Sequence, residues 1–396
     1  MASVCFYLQM HQPPRLRRYS VFDTASDYFD ELDNAQTIRK IAGKSYLPVT
    51  DLLLDLIQQQ QGDFRFALSL TGCVVEQLQR HVPEVLDGIR ALAHTGCCEL
   101  LSETYFHSLA FLYSRDEFRQ QVEMHTDLIE ELFGQRPTVF RNTELIYSNE
   151  LATCVGDFDR YRGILTEGVD RLLKDRSPNQ LYRPPDRDDL ALLLKNYRLS
   201  DDIAFRFSDH RWPQWPLTAQ KFASWIEPSN PTGALCNLFM DIETFGEHQW
   251  RDTGIFEFLS ALPTHVLTAG NEFKTPTECI ESFPAVNEYD VPKVISWADT
   301  ERDLSAWAGN PMQSNALHQL YAIERSVKES GDQQILHDWR NLTTSDHFYY
   351  MCTKYAADQE VHRYFNPYES PYDSYINFMN VLDNLRSRVD APEPVA

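Results

Sequence analysis

The feature that most constrains this chain is a repeated pair: a short apolar run ending in polar or charged residues, then a stretch with helical periodicity. The runs cover residues 4–10, 64–70, 99–101, 138–140, 163–165, 203–207 and 235–240. The first five lead to His11, Glu76, Glu103, Glu144 and Glu167, and the last ends at Asp241. Helical returns between apolar runs predict parallel strands, because a crossover must bring the chain back to the same edge of the sheet. Seven strands that each deliver a polar side chain at the C-terminal end point to an α/β fold, a (β/α)7 barrel of TIM type over residues 1–275. An open doubly wound sheet is the structural alternative.

Within this frame, Ser114 and Glu117 predict a reciprocal capping box for a helix whose stripe is Phe118, Val122, Ile129 and Phe133, stopped by Gly134. The segment 180–187, with two adjacent prolines, reads as a loop over the barrel mouth. Beyond residue 275 the pattern becomes helical at 312–329 and 374–388. This predicts a mainly helical C-terminal domain over 276–396 that contributes to the cleft.

Composition narrows the partners. A formal charge of −22 opposes nucleic acid and anionic membrane surfaces, both of which need clustered Lys and Arg, and it fits a neutral substrate. No stretch reaches 18 apolar residues and the N-terminus lacks a basic region followed by an apolar one, so a cytoplasmic location is expected. Eight cysteines without CxxC spacing read as small buried hydrophobes in a reducing compartment. Twelve histidines include no pair at i, i+4 and no HExxH, so no metal or other cofactor is expected. Gly43-Lys-Ser45 lacks the glycine that a P-loop needs at position 38, which is Ile38, and no GxSxG elbow occurs.

Cleavage of a glycosidic bond needs two carboxyl groups, and strand ends supply candidates. Position alone does not single any out among 58 acidic residues. Five ordered segments do so by resemblance: His11-Gln-Pro13, Gly72-Cys-Val-Val-Glu76, Phe140-Arg-Asn-Thr-Glu144, Asp241-Ile-Glu-Thr-Phe-Gly-Glu-His-Gln-Trp250, and Ser296 to Trp307 continuing to Asn310. Together they resemble glycoside hydrolase family 57, a family of α-amylases and 4-α-glucanotransferases built on a seven-stranded barrel followed by a helical domain. The fifth segment is similar to the α-amylase branch.

The resemblance implies a retaining mechanism on an α-glucan oligosaccharide or polysaccharide, with Glu144 as nucleophile and Asp241 as acid/base. His11, Glu76, Glu103 and His107 are then candidates to hydrogen-bond sugar hydroxyls. Phe245, Trp250, Trp297 and Trp307 are candidate stacking platforms, of which two or three are expected to meet substrate. Asp303, four residues before Trp307, would share its face if that stretch is helical, and Asp346 could close the cleft. Hydrolysis, glucan transfer, branching and carbohydrate binding without turnover all stay open at this level.

Overall fold

The computed structural model describes residues 1–229, 234–354 and 366–390. Among the described residues ten strands run in chain order: β1 (Ser3–Met10), β2 (Phe66–Leu70), β3 (Cys98–Leu100), β4 (Val139–Arg141), β5 (Gly163–Glu167), β6 (Leu181–Arg183), β7 (Ala191–Lys195), β8 (Leu235–Asp241), β9 (Glu272–Phe273) and β10 (Asn287–Glu288). The first sheet has the order β3–β2–β1–β8, with β9 also pairing to β1, and every pair in it is parallel. The second has the order β10–β6–β7–β5–β4, parallel except for β6 against β7. The result is an α/β fold with helices between parallel strands.

Hydrogen bonds also run between the sheets. Ser102 N donates to Val139 O at 3.0 Å and Arg141 N to Ser102 O at 2.8 Å. At the other junction Asn196 N donates to Asn237 O at 2.9 Å, and Asn237 Nδ2 to Leu194 O at 2.8 Å.

The apolar runs form strands because both faces are buried. Along β1, Val4, Phe6, Leu8 and Met10 pack into one core with the surrounding helices, while Cys5 and Tyr7 point to the opposite face. There they meet Ala67, Val139, Leu165, Leu193 and Phe239, contributed by strands of both sheets. That alternation is the period of two expected of a strand, with neither face left to water.

Three sequence expectations require correction. Residues 203–207 are not a strand: Tyr197–Ala204 is a helix capped by the Asn196 side chain, and Leu199 and Ile203 share its buried face at a spacing of four. The strand at this place in the order is β7, Ala-Leu-Leu-Leu-Lys, which is buried throughout. Residues 181–183 are a strand rather than loop, and none of 180–187 lines the main cavity. The Arg115–Phe133 helix is capped by Ser114, whose Oγ accepts from Glu117 N at 3.2 Å, but the carboxylate of Glu117 does not reach back. It is fully buried and accepts instead from Arg340 at 2.8 Å and Gln121 at 3.0 Å, with Lys328 Nζ 2.8 Å away. A buried carboxylate needs cations more than a helix end needs a second cap.

Beyond residue 300 the described chain is helical, with Pro311–Ala322, Gln333–Leu342 and Pro371–Val389 the longest pieces. Trp307, Trp339, Phe348 and Phe378 are among the buried side chains of the apolar core they share. This core also takes in Leu16, Tyr28, Leu109 and Ile146 from segments that follow β1, β3 and β4. Residues 355–365 and 391–396 of the expected C-terminal region lie outside the described ones. Among the described residues no helix is long and apolar enough to cross a membrane.

Candidate active site

The C-terminal ends of β1, β4, β7 and β8 open into one cavity of about 790 Å³. Of the residues singled out from sequence, it is lined by His11, His107, Glu144, Asp241, Trp297, Trp307 and Asp346.

Glu144 follows β4 in a short turn, Thr143–Leu145, where Glu144 and Leu145 adopt φ of 56° and 50°. Two successive non-glycine residues in the left-handed region are strained and must be held from outside. The Leu145 side chain is buried in the core shared by both sheets, and Thr143 Oγ1 bonds Thr104 Oγ1 at 2.8 Å. Glu144 O accepts from Trp297 N at 3.1 Å. The side chain is held as firmly: Oε1 lies 2.9 Å from His107 Nε2, and Oε2 accepts from Trp297 Nε1 at 2.6 Å. Burial alone would raise its pKa, but the hydrogen bond and charge of His107, with Arg141 and Trp297, bring it below the usual carboxylate range.

His107 is itself wedged between carboxylates. Its Nδ1 is 3.4 Å from Glu103 Oε2, and Glu103 has no exposed surface. Burial disfavours the imidazolium, yet the hydrogen bonds to Glu103 and Glu144 outweigh it and raise the pKa to about 9. Both ring nitrogens therefore carry protons at neutral pH and donate. Glu103 in turn is held down at about 2, with Arg141 Nη1 3.7 Å away. Its place is behind His107 rather than at the cavity surface.

Asp241 ends β8 in register with Gln9 of β1. Burial first, and then the charge of Glu144, push its pKa up to about 6, against the pull of Arg141, Lys195 and His107. Gly246 shapes the turn that follows: at φ 112° it passes so close to Lys44 that a Cβ would fall 2.0 Å from Lys44 O.

Sequence reasoning missed a third carboxyl, Glu243, two residues past Asp241 and lining the same cavity. Its Oε1 accepts from Tyr46 Oη and, at 3.3 Å, from Gln12 Nε2. Burial and the charge of Asp241 raise its pKa to about 8. Lys195 and Gln9 were missed too. Lys195 ends β7, a strand that the apolar runs read from sequence do not include, and Gln9 is the one polar residue inside an apolar run, a signal that was available.

His11 stacks on His107 with ring centroids 3.9 Å apart. Its Nδ1 accepts from Thr71 Oγ1 and its Nε2 faces Asp346 Oδ2, each at 2.9 Å. Burial, then the neighbouring imidazolium, lower the pKa of His11, so the pair combines a neutral ring with a charged one. Asp346 is held well below the usual range; burial opposes this, and the interactions with His11 overcome it. His11, His107 and Asp346 offer ligand atoms within 4.8 Å of one another, and each ring nitrogen of the two histidines lies within hydrogen-bond reach of another side chain.

Besides Glu103, four expected sugar contacts lie away from the cavity. Phe245 has no exposed surface and packs edge-on against Phe6. Glu76 accepts from Tyr105 Oη at 2.8 Å and sits 3.5 Å from His337 Nε2. Asp303 precedes the helix Ser305–Ala308 rather than lying within it, and its carboxylate accepts from Ser305 N at 2.8 Å. Trp250 stands outside the cavity with Lys44 Nζ 5.4 Å from its ring centroid.

Two carboxyl groups whose pKa values are pushed apart, beside an indole ring at the ends of parallel strands, are an arrangement suited to acid–base work on a glycosidic bond. The chain belongs to glycosyl hydrolase family 57, whose sequence profile matches residues 5–292. It is an enzyme of the glycoside hydrolase and transglycosylase class. A protein of Methanocaldococcus jannaschii named "Putative alpha-amylase" is 41% identical over 394 residues, covering 96% of this chain and 83% of that one. Among solved structures, the family 57 branching enzyme of Pyrococcus horikoshii aligns with a TM-score of 0.68 at 14% identity, over 97% of this chain and 88% of that one. The 4-alpha-glucanotransferase of Thermococcus litoralis aligns at 0.63 and 16% identity, over 99% of this chain, which spans only 60% of the transferase. The alpha-amylase AmyC of Thermotoga maritima gives 0.62 at 12% identity, over 98% and 94% of the two chains.

Proposed function

We propose that the protein cleaves α-1,4 bonds of maltodextrin, starch or glycogen with retention of configuration, Glu144 acting as nucleophile and Asp241 as acid/base. The observation that carries this is the divergence of the two carboxyl groups: Glu144 is kept ionised, while Asp241 is raised to about 6 by burial and by the charge of Glu144. A Glu144 oxygen attacks the anomeric carbon as the glycosidic C–O bond breaks, and the Asp241 proton passes to the departing oxygen. Asp241, now ionised, takes a proton from the incoming water, whose oxygen displaces Glu144 from the sugar. Retention calls for a carboxyl separation of about 5–5.5 Å in the substrate complex.

His107 is a positioning residue, orienting Glu144 through one ring nitrogen while Glu103 fixes the other. His11 and Asp346 offer polar groups to sugar hydroxyls, and Trp297 offers an apolar face, while Trp307 borders the cavity with its ring buried in the C-terminal core. The name of the Methanocaldococcus relative favours amylase chemistry. Transfer to a sugar hydroxyl in place of water is the second reading, favoured by the likeness to a glucanotransferase and a branching enzyme.

The seven parallel strands β1, β2, β3, β4, β5, β7 and β8 are read as a closed (β/α)7 barrel over residues 1–275. The hydrogen bonds at both sheet junctions and the core shared by both sheets support closure. The helices sharing a core around Trp307 and Trp339 support a C-terminal domain over 276–396. A reducing, cytoplasmic setting suits the cysteines, seven of which pack as buried side chains.

Incubation with maltoheptaose and amylose, with products resolved by length and linkage, tests the activity. Shorter sugars alone mean hydrolysis, longer ones mean transfer, and new α-1,6 bonds mean branching. Unchanged substrate would sink the proposal.

A further inference from the structure

Phe22, Phe205, Trp215, Trp250 and Tyr372 are exposed aromatic side chains, and two of them, Phe205 and Trp250, 56% and 55% exposed, belong to segments that border the cavity. Phe205 follows the helix Tyr197–Ala204 and itself lines the cavity, so its ring stands at the boundary between cavity and solvent. Trp250 is two residues past His248, another lining residue, and at most about 7 Å of extended chain separates them. Gln249, buried between them, donates from Nε2 to Ala204 O at 2.8 Å and ties the two segments together. The turn is closed by Gly246 N to Gln249 O at 2.9 Å and Gln249 N to Thr244 O at 3.1 Å.

Large apolar rings held out in water at the edge of a binding cavity mark a surface that a ligand covers. A glucan chain has the matching chemistry, since its sugar rings present apolar C–H faces that stack on aromatic rings. A cavity of about 790 Å³ encloses only a short stretch of such a chain, so a longer one has to leave over a lip.

We propose that Phe205 and Trp250 form an outer subsite for the part of an α-glucan chain that lies outside the cavity, and that they bias the enzyme toward long chains. This rests on the α-glucan reading above and adds to it a chain-length preference with its own determinants.

The test is the ratio of KM for maltotriose to KM for amylose in wild type, F205A and W250A, together with retardation of each protein in amylose-containing native gels. Each alanine variant is expected to lower that ratio about fivefold and to migrate faster in the amylose gel. F205Y and W250F keep an aromatic face and are expected to stay near wild type. F205Q and W250Q repeat the measurement should an alanine variant fail to fold. An unmoved ratio in both alanine variants, with unchanged gel retardation, overturns the outer subsite. If the wild type turns over no glucan yet is retarded by amylose through these two residues, the activity reading fails and the outer subsite stands.

Discussion

Glu144 sits in a left-handed turn and commits both carboxylate oxygens to protein donors, whereas Asp241 ends a regular strand and has its pKa raised to about 6 by burial and by its neighbour's charge. One wall of the cavity is wired and the other is insulated. The comparison teaches that the pKa values of two carboxyl groups in one cavity can be driven apart by different means. Ionisation is secured by explicit donors, with an imidazolium and a guanidinium behind them, and proton affinity is raised by withdrawing water near a fixed negative charge.

The largest test of that division is to remove each carboxylate. E144Q is expected to lower kcat about 10⁴-fold on every glucan. D241N is expected to lose about 10³-fold in kcat/KM on maltoheptaose but only about tenfold in kcat/KM on an aryl maltoside whose leaving group needs no proton. Equal losses for D241N on both substrates would mean that Asp241 is not the acid.

Next comes the wiring. H107Q removes the cation that depresses the pKa of Glu144, so that pKa should rise and the acidic limb of the kcat/KM profile should move to higher pH. The expected loss at neutral pH is about 10²-fold. An acidic limb unmoved in H107Q would detach His107 from the nucleophile.

The same histidine couples charge to stability. Its pKa is raised from 6.5 to about 9, so its contribution is fully present below pH 6.5 and is lost as pH rises through about 9. The magnitude is on the order of 3 kcal/mol. Urea melts of wild type against H107Q across this window should converge as pH rises.

The smallest effect is expected at Glu243. With its pKa raised to about 8, this group is largely neutral at pH 7, so E243Q should change kcat less than about threefold. A larger loss would mean that the third carboxyl works as an anion.

Much of the scaffold was legible because strands buried on both faces write themselves as unbroken apolar runs, and because catalytic groups collect where those runs end. The run at 203–207 misled for the converse reason: Leu199 and Ile203 have helical spacing, and a short apolar triplet does not distinguish the two. The candidate pair Glu144 and Asp241 was legible through the ordered motifs. Its support was not, since Glu103, His107 and Arg141 act by contacts between segments far apart in the chain. Phe245 shows the limit of a motif: it lies four residues from Asp241 and packs into the core, while Glu243 beside it faces the cavity.

The positive φ at Glu144 has a consequence for how such an enzyme changes over generations. A glycine or asparagine would relieve that backbone by roughly 1 kcal/mol, but would forfeit the bonds of Glu144 to His107 and Trp297. The fold therefore pulls this single position two ways, the backbone toward silent replacements and the two donors back toward a carboxylate. On the reading of Glu144 as nucleophile, demand for the reaction adds to the second pull, and where that demand lapses the backbone's preference is the one left to act.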